Sequence, residues 1–199
     1  MMTGVRRLLD RFGGVLASAA ARGFFRSVER EGFDRRAVRG RPVLIVANHF
    51  NGFVDPVLVV AALGRLPRFL AKAALWRVWP ARPFLFLAGL IPVARPEDGA
   101  GTGINASSFA AAVKTLGRKH VVAIFPEGTT HDAPQLAPVR TGAARIALDA
   151  HAAGVRGMWI VPVGLTFDDK VAFSKANCPI SKALAAVPEI VINAKLKAG

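Results

Sequence analysis

Cysteine is almost missing from this chain: Cys178 is the single thiol in 199 residues. One thiol excludes an intrachain disulfide framework and a cysteine-based metal cluster, and it fits a reducing compartment. Acidic residues are also scarce, 13 Asp and Glu against 27 Lys and Arg, for a formal net charge of +14. That excess calls for an acidic partner: nucleic acid, anionic lipid or a phosphorylated substrate. Long apolar runs are the third absence. Hydrophobic residues make up 52% of the chain and mean hydropathy is +0.36. Yet no stretch reaches the ~20 uninterrupted apolar residues that a spanning helix needs. Val57–Leu63 and Pro83–Ala94 are short, bounded by Asp, Arg or Pro, and read as core elements or interfacial surface. The length suits one compact domain with a sizeable core.

The amino terminus has Arg6 and Arg7 ahead of the small residues Gly13–Ala21, but Asp10, Arg11 and Arg22 interrupt the apolar run. No secretion signal is expected from such a pattern. Val5, Leu8, Leu9, Phe12, Leu16, Ala19, Ala20, Gly23 and Phe24 recur at helical spacing, with Arg6, Arg7, Arg11, Arg22 and Arg26 around them. A basic amphipathic helix over residues 1–30 follows. It either lies in an anionic headgroup layer or packs its stripe on the domain behind it.

A polar connector, Glu29–Arg41, comes next, and apolar runs then alternate with helical patterns. Strands are expected at Val43–Ala47, Arg68–Ala71, Ile91–Ala94, Val121–Phe125 and Trp159–Phe167, and helices at Pro56–Leu63, Ile104–Lys119 and Val139–Ala150. Trp76–Ala88 is apolar and broken by Pro80 and Pro83. This alternation predicts a mixed α/β fold with a largely buried sheet and flanking helices, its core at residues 42–167. The tail at 168–199 is rich in Lys and Ala, with weak periodicity until Val187–Ile192, and receives no assignment.

Two loops carry candidate chemistry. Asn48-His49-Phe50-Asn51-Gly52-Phe53-Val54-Asp55-Pro56 follows the first of these strands. An imidazole takes a proton near neutral pH, and a carboxylate held beside it fixes the tautomer, so His49 and Asp55 form a general-base pair in principle. Asp followed by Pro also reads as an ordinary helix N-cap with Pro at the first helical position, and a lone His is more often structural. Phe125-Pro126-Glu127-Gly128-Thr129-Thr130-His131-Asp132 follows another strand, and ligands bind at such strand ends in open α/β sheets. Backbone amides and hydroxyls around Gly128–Thr130 suit a phosphate or glycerol hydroxyls, while Pro and Gly also punctuate a plain turn. Gly89-Leu90-Ile91-Pro92-Val93-Ala94-Arg95 delivers one Arg to a strand end, and Val161-Pro162-Val163-Gly164 is a further apolar strand.

The four blocks, in this order, resemble the glycerolipid acyltransferases, the family of glycerol-3-phosphate and lysophosphatidic acid acyltransferases. The resemblance runs from about Leu44 to Phe167. It implies an enzyme of phospholipid biosynthesis that takes an acyl group from acyl-CoA or acyl-carrier protein to a hydroxyl of 1-acylglycerol-3-phosphate or glycerol-3-phosphate. No cofactor beyond that co-substrate and no metal are implied. His49 would deprotonate the acceptor and Asp55 would orient His49. The acceptor and phosphate-binding role falls by motif match on Arg95, Glu127, Gly128 and Thr129, with Lys72 also at a basic position of the family. Glu127 suits loop organisation or acceptor hydroxyls, because a carboxylate repels phosphate. A peripheral or monotopic place on the cytoplasmic face of the cell membrane is the matching expectation.

Three departures stand out. Five residues, Phe50 to Val54, separate His49 from Asp55, where many members have four. Thr130 and His131 stand where many members carry a basic residue, which shifts phosphate neutralisation to Arg95, Lys72 or Arg140. The tail does not resemble the family's continuation. Two rivals remain. Gly101-Thr102-Gly103-Ile104-Asn105-Ala106 fits a loose dinucleotide fingerprint, but six residues separate it from the preceding strand. A non-enzymatic binder of nucleic acid or an anionic surface would explain the charge. However, no RNP, zinc-ligand or recognition-helix pattern accompanies it, so a nucleic-acid partner is not expected. His49, His120, His131 and His151 lack metal-ligand spacing, and no Gly-x-Ser-x-Gly elbow is present.

Overall fold

A computed structural model describes residues 2–32, 36, 38–94, 102–129, 137–167 and 190–196. Helix α1 (Met2–Phe24) leads into β1 (Phe25–Glu31), then β2 (Val43–Ala47), α2 (Val54–Leu63) and β3 (Arg68–Lys72). Two 3₁₀ turns, Ala73–Arg77 and Trp79–Ala81, precede α3 (Arg82–Ala88) and β4 (Ile91–Val93). Then come α4 (Thr102–Gly117), β5 (Val121–Ile124), α5 (Gly142–Ala152), β6 (Trp159–Phe167) and β7 (Ile190–Leu196). The strands form one seven-stranded sheet in the order β1-β7-β6-β2-β5-β3-β4, parallel throughout except where β1 meets β7 antiparallel. The expected α/β architecture is what the chain adopts.

Strand β2 lies at the centre, buried at each of its five residues, and this is why it reads as an unbroken apolar run. Its side chains alternate between two layers. Val43, Ile45 and Ala47 join Val121, Ala123, Val161, Val163 and Leu165 under α1 and α2. Leu44 and Val46 join Val122, Ile124, Ala112, Leu116, Ile146 and Ala150 beneath α4 and α5. After β2 the chain crosses through α2 to β3 on one side, whereas after β5 it crosses through α5 to β6 on the other. The two central strands therefore part company at their carboxyl ends, on opposite faces of the sheet. A crevice opens at such a switch point.

Two expectations are corrected. The first helix stops at Phe24, and Phe25–Glu31, read in part as helix and in part as connector, is the edge strand β1. Its Phe25 pairs with Leu196 and its Glu31 with Val191. That partner lies in the tail left unassigned, where β7 also pairs in parallel with β6. The amphipathic pattern of α1 also divides differently. The packed face is made of small residues, Gly14, Ala17 and Ala21, and it lies on α2, while Leu8, Phe12, Val15 and Leu16 are exposed. A Cβ on Gly14 would run into the Gly64 carbonyl and stand 2.8 Å from the Arg65 nitrogen, so only glycine permits this approach. No described helix is long and apolar enough to cross a membrane.

Candidate active site

The His49 loop leaves the end of β2 beside the Phe125 loop at the end of β5, because Val46 and Ile124 are in register. Asn48 anchors it. Its side-chain amide donates to the Leu165 carbonyl at 3.0 Å and its Oδ1 accepts the Leu165 N–H at 2.6 Å, extending the β2–β6 pairing by one side chain. The backbone N–H of His49 donates to Glu127 Oε1 at 3.0 Å. Phe125 stacks on the imidazole with centroids 4.0 Å apart and planes 13° from parallel, and Phe69 stacks behind Phe125 at 5.9 Å. The ring is thus held in position from its backbone and from one face.

Asp55 holds it from the edge. His49 Nδ1 lies 3.0 Å from Asp55 Oδ2, and the carboxylate is fully buried at 0% exposure. The N-cap reading of Asp55 does not hold: the capping residue of α2 is Phe53, and Asp55 sits inside the first turn. Asn51 does the capping work, its Oδ1 accepting the N–H groups of Phe53 and Val54 at 3.0 and 3.1 Å. Asp55 Oδ2 in turn accepts the Asn51 N–H at 2.7 Å, a wider variant of a reciprocal capping box. The five-residue spacer therefore closes as one hydrogen-bonded loop. Asp55 Oδ1 is buried with no hydrogen-bond partner among the described residues. A buried carboxylate kept this way favours a protonated Nδ1 facing it and stabilises positive charge on the ring. Nε2 is then the ring nitrogen left to the solvent side.

That side is a cavity of ≈ 660 Å³. His49 is part of its wall, together with the apolar side chains of Phe69, Leu70, Leu75, Leu90 and Phe109 and the cations Lys72, Arg140 and Arg145. Gly128 is also in the wall, at φ +70°, where an added Cβ would press on Arg140 at 3.1–3.2 Å. The other site residues fall elsewhere. Glu127 is buried at 3% exposure behind the wall, and Thr129 is exposed outside it. Arg95, like Thr130 and His131, lies outside the described residues.

Arg145 is the cavity residue that sequence reading missed. Its guanidinium lies 5.4 Å from the Phe109 ring centroid. Its place in the wall depends on how α5 docks on α4, which no local pattern announces. Of the dinucleotide fingerprint, Gly101 lies outside the described residues, and Asn105 is engaged with the preceding strand, its Oδ1 accepting the Ala94 N–H at 3.1 Å.

The fold and its crevice define an α/β protein with a His–Asp pair on the wall of a large, mostly apolar, cation-bearing cavity. The family model described as Acyltransferase matches residues 28–166. The match spans well over half of the chain, which belongs to the Acyltransferase family and is by that membership an enzyme that transfers acyl groups. A search of curated proteins returned no match.

Proposed function

We propose that this enzyme carries a fatty acyl group from acyl-CoA or acyl-carrier protein to a hydroxyl of a phosphorylated glycerol acceptor, 1-acylglycerol-3-phosphate or glycerol-3-phosphate, in phospholipid biosynthesis. The observation that carries the reading is the buried His49–Asp55 contact of 3.0 Å on the wall of the cavity. In this reading His49 Nε2 takes the acceptor's hydroxyl proton as its oxygen attacks the thioester carbonyl carbon. Asp55 stabilises the imidazolium. When the tetrahedral intermediate collapses the C–S bond breaks, and the thiolate leaves with the proton returned by Nε2. The apolar wall suits an acyl chain, and Lys72, Arg140 and Arg145 suit the acceptor phosphate, with Arg95 added by motif match. Glu127 and Gly128 shape the loop that presents His49 and Arg140, and Thr129 stays a candidate for acceptor hydroxyls by motif match alone. The enzyme would work as a peripheral protein on the cytoplasmic face of the membrane.

The test is thiol release from acyl-CoA, with glycerol-3-phosphate and lysophosphatidic acid offered in parallel. One acceptor should drive release, and His49→Ala should lower turnover by about a hundredfold to ten-thousandfold. Lys72→Ala with Arg140→Ala should raise KM for the phosphorylated acceptor roughly tenfold to a hundredfold, since a charge-assisted contact contributes about 1.5–3 kcal/mol. KM for the thioester should stay near wild type. Full activity in His49→Ala, or no release with either acceptor, would overturn the reading.

A further inference from the structure

Between β3 and β4 the chain makes an excursion, Ala73–Ala88, that exposes the apolar side chains of Leu75, Val78, Trp79, Phe86 and Leu87. Trp79 is 78% exposed and Phe86 85%, with Val78 and Leu87 more than half exposed beside them. Single exposed apolar residues are ordinary, but these cluster within one short excursion and no described residue covers them, which marks an interaction surface. The excursion is nevertheless held firmly. Arg6 of α1 donates through Nη1 to the Leu87 carbonyl and through Nη2 to the Ala88 carbonyl, the latter at 2.9 Å. Arg82 Nε donates to the Trp76 carbonyl at 2.6 Å, and Arg68 Nη1 reaches the Ala88 carbonyl at 3.4 Å. These cations satisfy carbonyls that the ends of such short helices leave open. The patch is therefore a fixed surface of the protein.

We propose that Ala73–Ala88 penetrates an anionic lipid bilayer as a second membrane-contacting element beside the exposed face of α1, and forms the lip of the cavity. Charge complementarity selects the bilayer. No acidic residue occurs between Asp55 and Glu97, and Arg77 and Arg82 stand exposed within the excursion itself. Aromatics flanked by arginines are the composition that settles at headgroup depth, with the rings below the phosphates and the guanidiniums among them. Continuity with the cavity gives the lip its purpose. Leu75 is 44% exposed and also lines the cavity, one turn beyond Lys72, which lines it too. An acyl chain leaving the bilayer at Trp79 and Phe86 meets Leu75 and then the apolar wall that holds His49. The route of the chain rests on the acyl-transfer reading above; insertion of the lip does not.

The experiment uses the full-length chain with vesicles of equal parts phosphatidylglycerol and phosphatidylcholine. Trp76→Phe with Trp159→Phe leaves Trp79 as the single tryptophan. Its emission should shift to the blue and be quenched by lipids brominated along the acyl chain, in wild-type and His49→Ala backgrounds alike. Quenching in the inactive background separates the lip from catalysis. Trp79→Ala with Phe86→Ala should weaken vesicle partitioning roughly tenfold to a hundredfold, because two large apolar side chains leave the interface. Its circular dichroism spectrum and melting temperature should match those of wild type, which reports intact folding. An unquenched Trp79 overturns the proposal, and so does partitioning that the double substitution leaves intact. Adsorption that salt abolishes completely, without quenching, would show binding by charge alone. Failure to partition at all would hand the patch to a protein partner.

Discussion

Asp55 carries two duties through one oxygen: Oδ2 meets both His49 Nδ1 and the Asn51 N–H. Asn51, not Asp55, satisfies the free amides of α2, so Asp55→Asn leaves the helix cap in place. Asn offers one oxygen as acceptor and puts an amide group where the unpartnered Oδ1 stood. That oxygen can keep both contacts of Oδ2, but the neutral amide removes the charge that stabilises the imidazolium. We expect Asp55→Asn to fold and to lose turnover by about a hundredfold or more, the scale of misplacing a general base. Circular dichroism and thiol release on one preparation check both halves. Wild-type turnover in folded Asp55→Asn would remove Asp55 from the mechanism. Asn51→Ala separates the duties from the other side: it should lower the melting temperature, a lost cap being worth about 0.5–2 kcal/mol, while sparing most of the activity.

At the scale of elements, α1 is joined to the domain by small residues and backbone proximity. Gly14 faces the Gly64 carbonyl at the left-handed end of α2, and Leu66 N–H donates to the Asp10 carbonyl at 3.1 Å. A side chain at position 14 has to push the two helices apart. Gly14→Leu is expected to destabilise by about 1–3 kcal/mol, the usual range for overpacking, and to loosen α1 first. Limited proteolysis would then cut within residues 2–24 before the rest of the chain. Gly4→Ala, with nothing within 4 Å of its added Cβ, is the matched control and should be neutral. A Gly14→Leu protein with wild-type stability and cleavage would show that α1 is not seated on α2 in solution.

Across the whole molecule, charged groups from distant parts of the chain gather where α1 meets the start of β3 and the residue before β5. Asp10 and Arg6 of α1 form an ion pair at 2.8 Å, with Arg65, Arg68 and His120 near them. Desolvation by burial holds His120 below the ordinary imidazole value, with Asp10 opposing and Arg68, Arg6 and Arg65 reinforcing the shift. Desolvation likewise raises Asp10 above the usual carboxylate range, against the pull of Arg6 and Arg68. The two signs differ. For His120 the unfolded chain binds the extra proton once pH drops below about 6.5, so its contribution lowers stability from there down to its folded value. For Asp10 the folded state binds the extra proton, so in its lower window stability rises as pH falls. His120 should therefore contribute a decline in melting temperature as pH falls below about 6.5, and His120→Asn should flatten that part of the profile. An unaltered slope in the variant would assign the decline to other groups.

The strands β2 and β5, and β6 from Val161 to Thr166, were legible because their residues are buried on both faces, which forces continuous apolar runs bounded by polar loops. The motif loops were legible for the same reason: His49 and Phe125 to Gly128 must follow those strands directly to reach the crevice. What local pattern did not contain is anything decided by pairing at long range. Phe25–Glu31 has four charged residues in seven and becomes a strand only because residues 191–196, some 160 positions later, pair with it at the sheet's edge. Asp55 at position two of its helix looked like a cap, and only the packing of His49 against Phe125 and Glu127 turns its carboxylate inward. Arg145 and the exposed lip at Trp79 belong to the same class, since exposure and cavity lining are relations between elements. The apolar periodicity of α1 correctly predicted a helix, but not which of its faces would be covered. Backbone approach to Gly64 admits only small residues, and that leaves the bulky stripe outside.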